Sequence, residues 1–187
     1  MLREGFGIVN DGGTMQSALA IGPMYCAAED NAAGNAVFLD VVAADVANAV
    51  KVYWLPWKDK NTTVANRVDF ENDCAFFMTP RLEGCRFVLT ATQVLHVASN
   101  ALGAVEGAAG SAARDKAEAA ATGGAAARRL SISTTNINDA WGGYPYEKQA
   151  FVFGVRMEGT WRYKGLIYQD PTGADAPFGQ WTTFMNP

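Results

Sequence analysis

Residues 75–98 constrain this chain more than any other stretch. Three short apolar runs, 75–78, 86–90 and 93–98, follow one another closely, and Phe, Val and Leu dominate them. Runs of this length and composition, bounded by turn residues, predict strands. Pro80-Arg81-Leu82-Glu83-Gly84 separates the first two and is a turn signal, while only Thr90-Ala91-Thr92 stands between the second and third.

Read as hairpins, the three runs have a simple register. A loop centred between Thr90 and Ala91 puts Cys85 opposite His96, and a loop centred on Leu82 puts Thr79 opposite Cys85. Opposed residues on antiparallel strands share a face, with Cβ atoms ~4.5–5.5 Å apart. Thr79, Cys85 and His96 then line up across three neighbouring strands. A hydroxyl, a thiol and an imidazole in a row are the parts of an activated-cysteine site. His96 is the only His among 187 residues, and Cys85 is one of three Cys. Two features oppose the register: Thr-Ala is a poor two-residue turn, and Pro80 has no N–H for a ladder. The bland readings are a buried structural thiol for Cys85, a core imidazole for His96 and plain strand preference for Thr79.

The pattern Thr79-x-x-Leu82-x-Gly84-Cys85, with His96 eleven residues beyond the Cys, resembles the active-site segment of the Burkholderia lethal factor-like glutamine deamidase toxins. Those toxins are related in fold and Cys–His chemistry to the catalytic domains of the cytotoxic necrotizing factors. The resemblance spans about twenty-five residues. It implies a sandwich of sheets, a catalytic Cys85 and His96, and a site hydroxyl from Thr79. It further implies a host protein substrate bearing a reactive glutamine, either a translation-initiation helicase or a Rho-type GTPase. Tyr144, Tyr146 and Gln149 are counterparts of further site residues only by rough position, since no motif aligns them.

Composition narrows the function classes. A formal charge of −4 argues against nucleic-acid binding, which needs a basic face. Cys26, Cys74 and Cys85 stand at unrelated spacings and read as reduced thiols, with one Cys26–Cys74 bridge left open. One His and no Cys-x-x-Cys leave no ordinary zinc site, and no cofactor is expected. No segment has a transmembrane length, and the first residues lack the apolar core of a signal peptide. The resemblance implies a protein secreted or delivered by another route to act in a host cytoplasm.

Elsewhere, strands are expected near Phe6, over 36–42, 51–57, 130–135, 150–157, 160–168 and 180–185, with a hairpin turn at Glu158-Gly159. Asn10-Asp11-Gly12-Gly13 is a turn, and 15–28 stays open between a strand and a short helix capped by Thr14. Trp54 and Trp57 suit either a groove or, more often, a core. The stretch 103–127 reads as an Ala/Gly-rich helical insertion, its helix over 111–121 capped by Ser111 and stopped by Gly123-Gly124. Small and charged residues there predict a weakly packed surface helix. Residues 136–146 form a polar-aromatic loop.

The expected fold is one α/β (α+β) domain over 1–187, a sandwich of mixed, largely antiparallel β-sheets with helices outside. The expected function is a toxin-like protein glutamine deamidase. Cys85 attacks a glutamine amide, His96 moves the protons, and water resolves the thioester. The alternatives are a non-catalytic β-rich interaction domain contacting partners through Trp54, Trp57, Trp141 and Tyr146, and a related transglutaminase or protease.

Overall fold

The structure is a computed structural model that describes residues 7–8, 21–30, 36–104, 108–132, 144–146, 149–168 and 180–184. In chain order its strands are β1 (Gly7–Ile8), β2 (Gly22–Asp30), β3 (Ala36–Val42), β4 (Val50–Trp54), β5 (Thr62–Asn66), β6 (Phe76–Met78), β7 (Arg86–Thr90), β8 (Gln93–Val97), β9 (Ala127–Ile132), β10 (Tyr144–Tyr146), β11 (Gln149–Met157), β12 (Thr160–Tyr168) and β13 (Gln180–Phe184). The α-helix among the described residues is α1 (Ala108–Thr122). An eight-stranded sheet runs β1-β3-β2-β4-β6-β11-β12-β13, and a five-stranded sheet runs β10-β9-β7-β8-β5. The pairs β1–β3, β4–β6 and β9–β10 are parallel and the others antiparallel. The expected α+β sandwich of mixed, largely antiparallel sheets is borne out.

Alternation along the strands builds the layers. From the large sheet, Tyr53, Phe77, Val152 and Tyr163 meet Phe87, Leu89, Val94 and Leu130 of the small one. Phe77 and Phe87 bridge the sheets with ring centres 5.9 Å apart, and Phe87 and Tyr163 with 6.3 Å. The intervening residues Val52, Trp54, Met78, Phe151 and Phe153 point the other way, into a second cluster with Cys26. Cys26 and Cys74 therefore sit in clusters on opposite faces of the large sheet, which removes the bridge between them; all three cysteines are outside disulfides. Trp54 belongs to the outer cluster and Trp57 packs against the inner one, so both serve packing.

Most expected strands lie within a residue or two of those observed. Residues 22–28 are strand, which settles the described part of that ambiguous stretch. The turn of β11–β12 has positive φ at both Glu158 (52°) and Gly159 (79°), as a tight two-residue hairpin requires. Strands β5 and β10 were not expected. The Asn10–Gly13 turn, the Thr14 cap and Trp141 lie outside the described residues. No described helix is long and apolar enough to cross a membrane.

The Ala-rich segment departs from expectation. Its helix begins at Ala108, so Ser111 lies within it and is no cap, although it does end at Gly123 and Gly124, both left-handed. It packs on the outer face of the small sheet, where Ala117 joins Val88, Leu95 and Val97. It also buries charge. Glu118 takes the Arg86 guanidinium at 2.7 Å and that of Arg129 at 2.5 Å, while Asp115 pairs with Arg86 at 2.8 Å. Small side chains bury little apolar area, but they let the helix approach until these long polar groups meet. The expectation of a weakly packed surface helix therefore misses the charged groups that it buries. Glu118→Ala removes the buried carboxylate that Arg86 and Arg129 share, and should cost about 3 kcal/mol of stability in urea melts. A loss nearer ~0.5 kcal/mol, typical of surface pairs, would refute a docking role for the network.

Candidate active site

Between β6 and β7 the chain changes sheets, and this crossing positions the site. β6 sits in the large sheet between β4 and β11, whereas β7 belongs to the small one. Residues 80–84 therefore do not form a hairpin turn, and Thr79 is not opposite Cys85 on a ladder. Leu82 is the reason. An apolar residue at the centre of that loop gains by burial; Leu82 is fully buried and exchanges backbone hydrogen bonds with Ala150 at 2.8 and 3.0 Å. Gly84 follows with φ +80°, and a Cβ placed on it would lie 3.1 Å from the Ser99 Cβ. Both conformation and space favour glycine there.

The β7–β8 hairpin forms, but two residues out of the expected register: Phe87, not Cys85, pairs with His96. Ala91 and Thr92 make the tip. The Thr90 hydroxyl accepts the N–H groups of Thr92 (3.2 Å) and Gln93 (2.8 Å), giving the loop the closure that Thr-Ala lacks. Arg67 secures the same turn by donating to the carbonyls of Thr90 and Ala91. A slip of two keeps side-chain parity. Cys85, two residues before Phe87, stays in the inner cluster, on the side of the small sheet that carries Val94 and His96.

Thr79 and His96 meet across the two sheets. The Thr79 hydroxyl donates to the Leu55 carbonyl at 2.8 Å, and its oxygen lies 2.7 Å from His96 Nδ1. With its one hydrogen committed to Leu55, Thr79 must accept at Nδ1, so the imidazole carries its proton there. Nε2 is left as the lone-pair nitrogen. It is buried and has no hydrogen-bond partner among the described residues.

Burial dominates the electrostatics. Thr79, His96 and Cys85 are 0, 1 and 4% exposed. Burial lowers His96 from 6.5 to about 3, and it also pushes the Cys85 thiol above its ordinary value. Donors from Ser99 and the Glu83 N–H, with the nearby Arg114 charge, oppose the rise at sulfur. A preformed thiolate–imidazolium pair would show the reverse shifts. At rest the site holds a neutral thiol and a neutral imidazole.

Of the three residues that sequence reasoning named, the fold brings Thr79 and His96 into contact, while Cys85 shares the inner face of the small sheet with His96 without a hydrogen bond to its Nε2. Tyr144 and Tyr146 lie on β10 of the small sheet and Gln149 begins β11 of the large one, so they share no strand pair. Sequence reasoning missed Ser99 and Arg114, since no spacing rule links either to Cys85. Among the described residues no group of three or more His, Cys, Asp or Glu is placed to hold a metal ion. No protein-family model matches the chain, and no curated protein is significantly similar to it.

The buried imidazole makes stability depend on pH. Between pH 6.5 and about 3 the unfolded chain binds a proton at His96 that the folded chain does not. The contribution is complete above about pH 6.5 and is lost progressively on acidification, reaching ~3 kcal/mol near pH 4.5. Urea melts of the wild type and His96→Gln at pH 7 and about 4.5 should show a shallower decline in the variant. Parallel declines would contradict a buried neutral imidazole. Thr79→Val, which leaves Nδ1–H and the Leu55 carbonyl unpaired, should cost about 2 kcal/mol in the same assay.

Proposed function

We propose that this protein is a cysteine-dependent protein glutamine deamidase. The observation that carries the reading is the oriented imidazole. Thr79 fixes the His96 tautomer and leaves an Nε2 lone pair, without a hydrogen-bond partner among the described residues, on the face of the small sheet that also carries Cys85. A base oriented by a third group is one part of the arrangement that acyl transfer requires. Because both groups are neutral at rest, proton transfer accompanies attack. His96 Nε2 takes the thiol proton as sulfur bonds to the glutamine amide carbon, and the imidazolium then gives that proton to the departing ammonia. Water, deprotonated by the same nitrogen, hydrolyses the thioester to glutamate and restores the thiol. The Cys85 N–H, following Gly84, is one donor for the tetrahedral oxyanion.

Burial of Cys85 and His96 means that a glutamine reaches them only when the surrounding loops part. The resemblance of the 79–96 segment to deamidase toxins supports a host protein as substrate, with a translation-initiation helicase or a Rho-type GTPase as the first to test. The same resemblance supports an effector delivered into host cytoplasm.

That burial also favours a second reading, a non-catalytic interaction domain in which Thr79 and His96 form a hydrogen-bonded core pair. The two readings part on mutation. Cys85→Ser and His96→Ala should each lower ammonia release and glutamine-to-glutamate conversion in a eukaryotic lysate at least about a thousandfold. Cys26→Ser and Cys74→Ser should retain activity. Conversion by Cys85→Ser at the wild-type rate would exclude the thioester route, and no conversion by the wild type would favour the interaction domain.

A further inference from the structure

Two residues that the proposed mechanism leaves unused converge on Cys85. Ser99 stands three residues beyond His96 and abuts Gly84, whose position would bring a Cβ within 3.1 Å of the Ser99 Cβ. Gly84 and Ser99 are both partly exposed, so they form the solvent side of the otherwise buried sulfur. Behind Ser99 lies Arg114 of α1, 2% exposed, which donates from Nη1 to the Ser99 carbonyl at 3.1 Å. A guanidinium this buried, holding a backbone carbonyl, is an unusual use of charge in an Ala-rich helix.

We propose that Ser99, clamped by Arg114, is the donor group that stabilises negative charge developing at Cys85. The proposal rests on Cys85 as the nucleophile. Holding the Ser99 carbonyl toward α1 turns the rest of that residue toward Gly84 and Cys85. From there its N–H and hydroxyl both favour the thiolate, as does the Glu83 N–H. Arg114 adds a positive charge on the same side. The other charged groups near the thiol are spoken for. Arg81 and Glu83 of its own loop pair with each other at 3.0 Å, and Asp115 and Glu118 of α1 are engaged by Arg86. His96 of β8 is neutral and points its proton at Thr79. Anionic sulfur is thus supported from the β8–α1 side while the base acts from β8 itself. Arg114 is the positioning residue, and the Ser99 hydroxyl and N–H become the stabilising donors once His96 has taken the proton.

The test is the pH profile of Cys85 alkylation by iodoacetamide, in a Cys26→Ser/Cys74→Ser background. Ser99→Ala should slow alkylation at neutral pH roughly tenfold, the effect of one hydrogen bond to a charged group, and should converge with the parent at high pH. Arg114→Gln should act in the same direction, while Arg114→Lys, which keeps the charge, should recover part of the rate. Convergence at high pH separates thiolate stability from altered access, because a change in opening would shift both limbs. Thermal melts identify any Arg114 variant that fails to fold, and Ser99→Ala then carries the test by itself. Superimposable profiles for Ser99→Ala and the parent would overturn the assignment. If Cys85→Ser abolished deamidation at the same time, the nucleophile reading would still stand. The predicted profiles without any deamidation would support the donor assignment and refute the activity instead.

Discussion

The Thr79 hydroxyl is the interaction on which the arrangement of this interior depends. It lies where the two sheets meet, receives the His96 Nδ1 proton from the small sheet and passes its own hydrogen to the Leu55 carbonyl beside the large one. The surroundings are apolar and aromatic, so an imidazole placed there without a partner would lose its hydration for nothing. One hydroxyl satisfies one nitrogen, sets the tautomer and leaves the second nitrogen as a base. Solvent exclusion then holds that base neutral over the physiological range. The same Thr79–His96 pair suits a core histidine or the proposed catalytic base, and the reactivity of Cys85 distinguishes the two readings.

Around that bond, the helix α1 ties the flanks of the cysteine together. Cys85 is followed directly by Arg86, whose guanidinium turns outward to Glu118 and Asp115. On the other side of the sulfur, Ser99 is held by Arg114 of the same helix. The helix thus grips the residue after the thiol and the residue beside it, four positions apart on its own surface. Charged groups bear most of this docking, because the helix has few large apolar side chains to offer.

Local pattern made much of this legible. The runs 86–90 and 36–42, and the Glu158-Gly159 hairpin, are bounded by their own turn residues and alternate or cluster as strands do, so their edges coincide with β7, β3 and the β11–β12 turn. Cys85 and His96 stayed on one face despite the register slip, because parity survives a shift of two. The slip itself arose from a side chain, since the Thr90 hydroxyl closes the turn one residue later than a bare two-residue loop would. Arg114 and Glu118 were misread because composition describes how much apolar area a helix can bury, not which strand charges it will face.

By itself, then, the sequence determined where most of the strands lie, that the segment 79–96 concentrates a hydroxyl, a thiol and the lone imidazole, and that Gly123-Gly124 ends the helix. These follow from side-chain period, turn chemistry and backbone freedom, which act over a few residues. Only the tertiary structure decided that the chain crosses from one sheet to the other between Thr79 and Cys85, and that Thr79 therefore reaches His96 and not the thiol. It alone brought Ser99 and Arg114 to the cysteine. The physical reason is that burial of Leu82 and pairing of the β6 edge with β4 and β11 are contacts between residues far apart in the chain. Their free energy outweighs the local preference for a hairpin at 80–84, and no short window of sequence contains them.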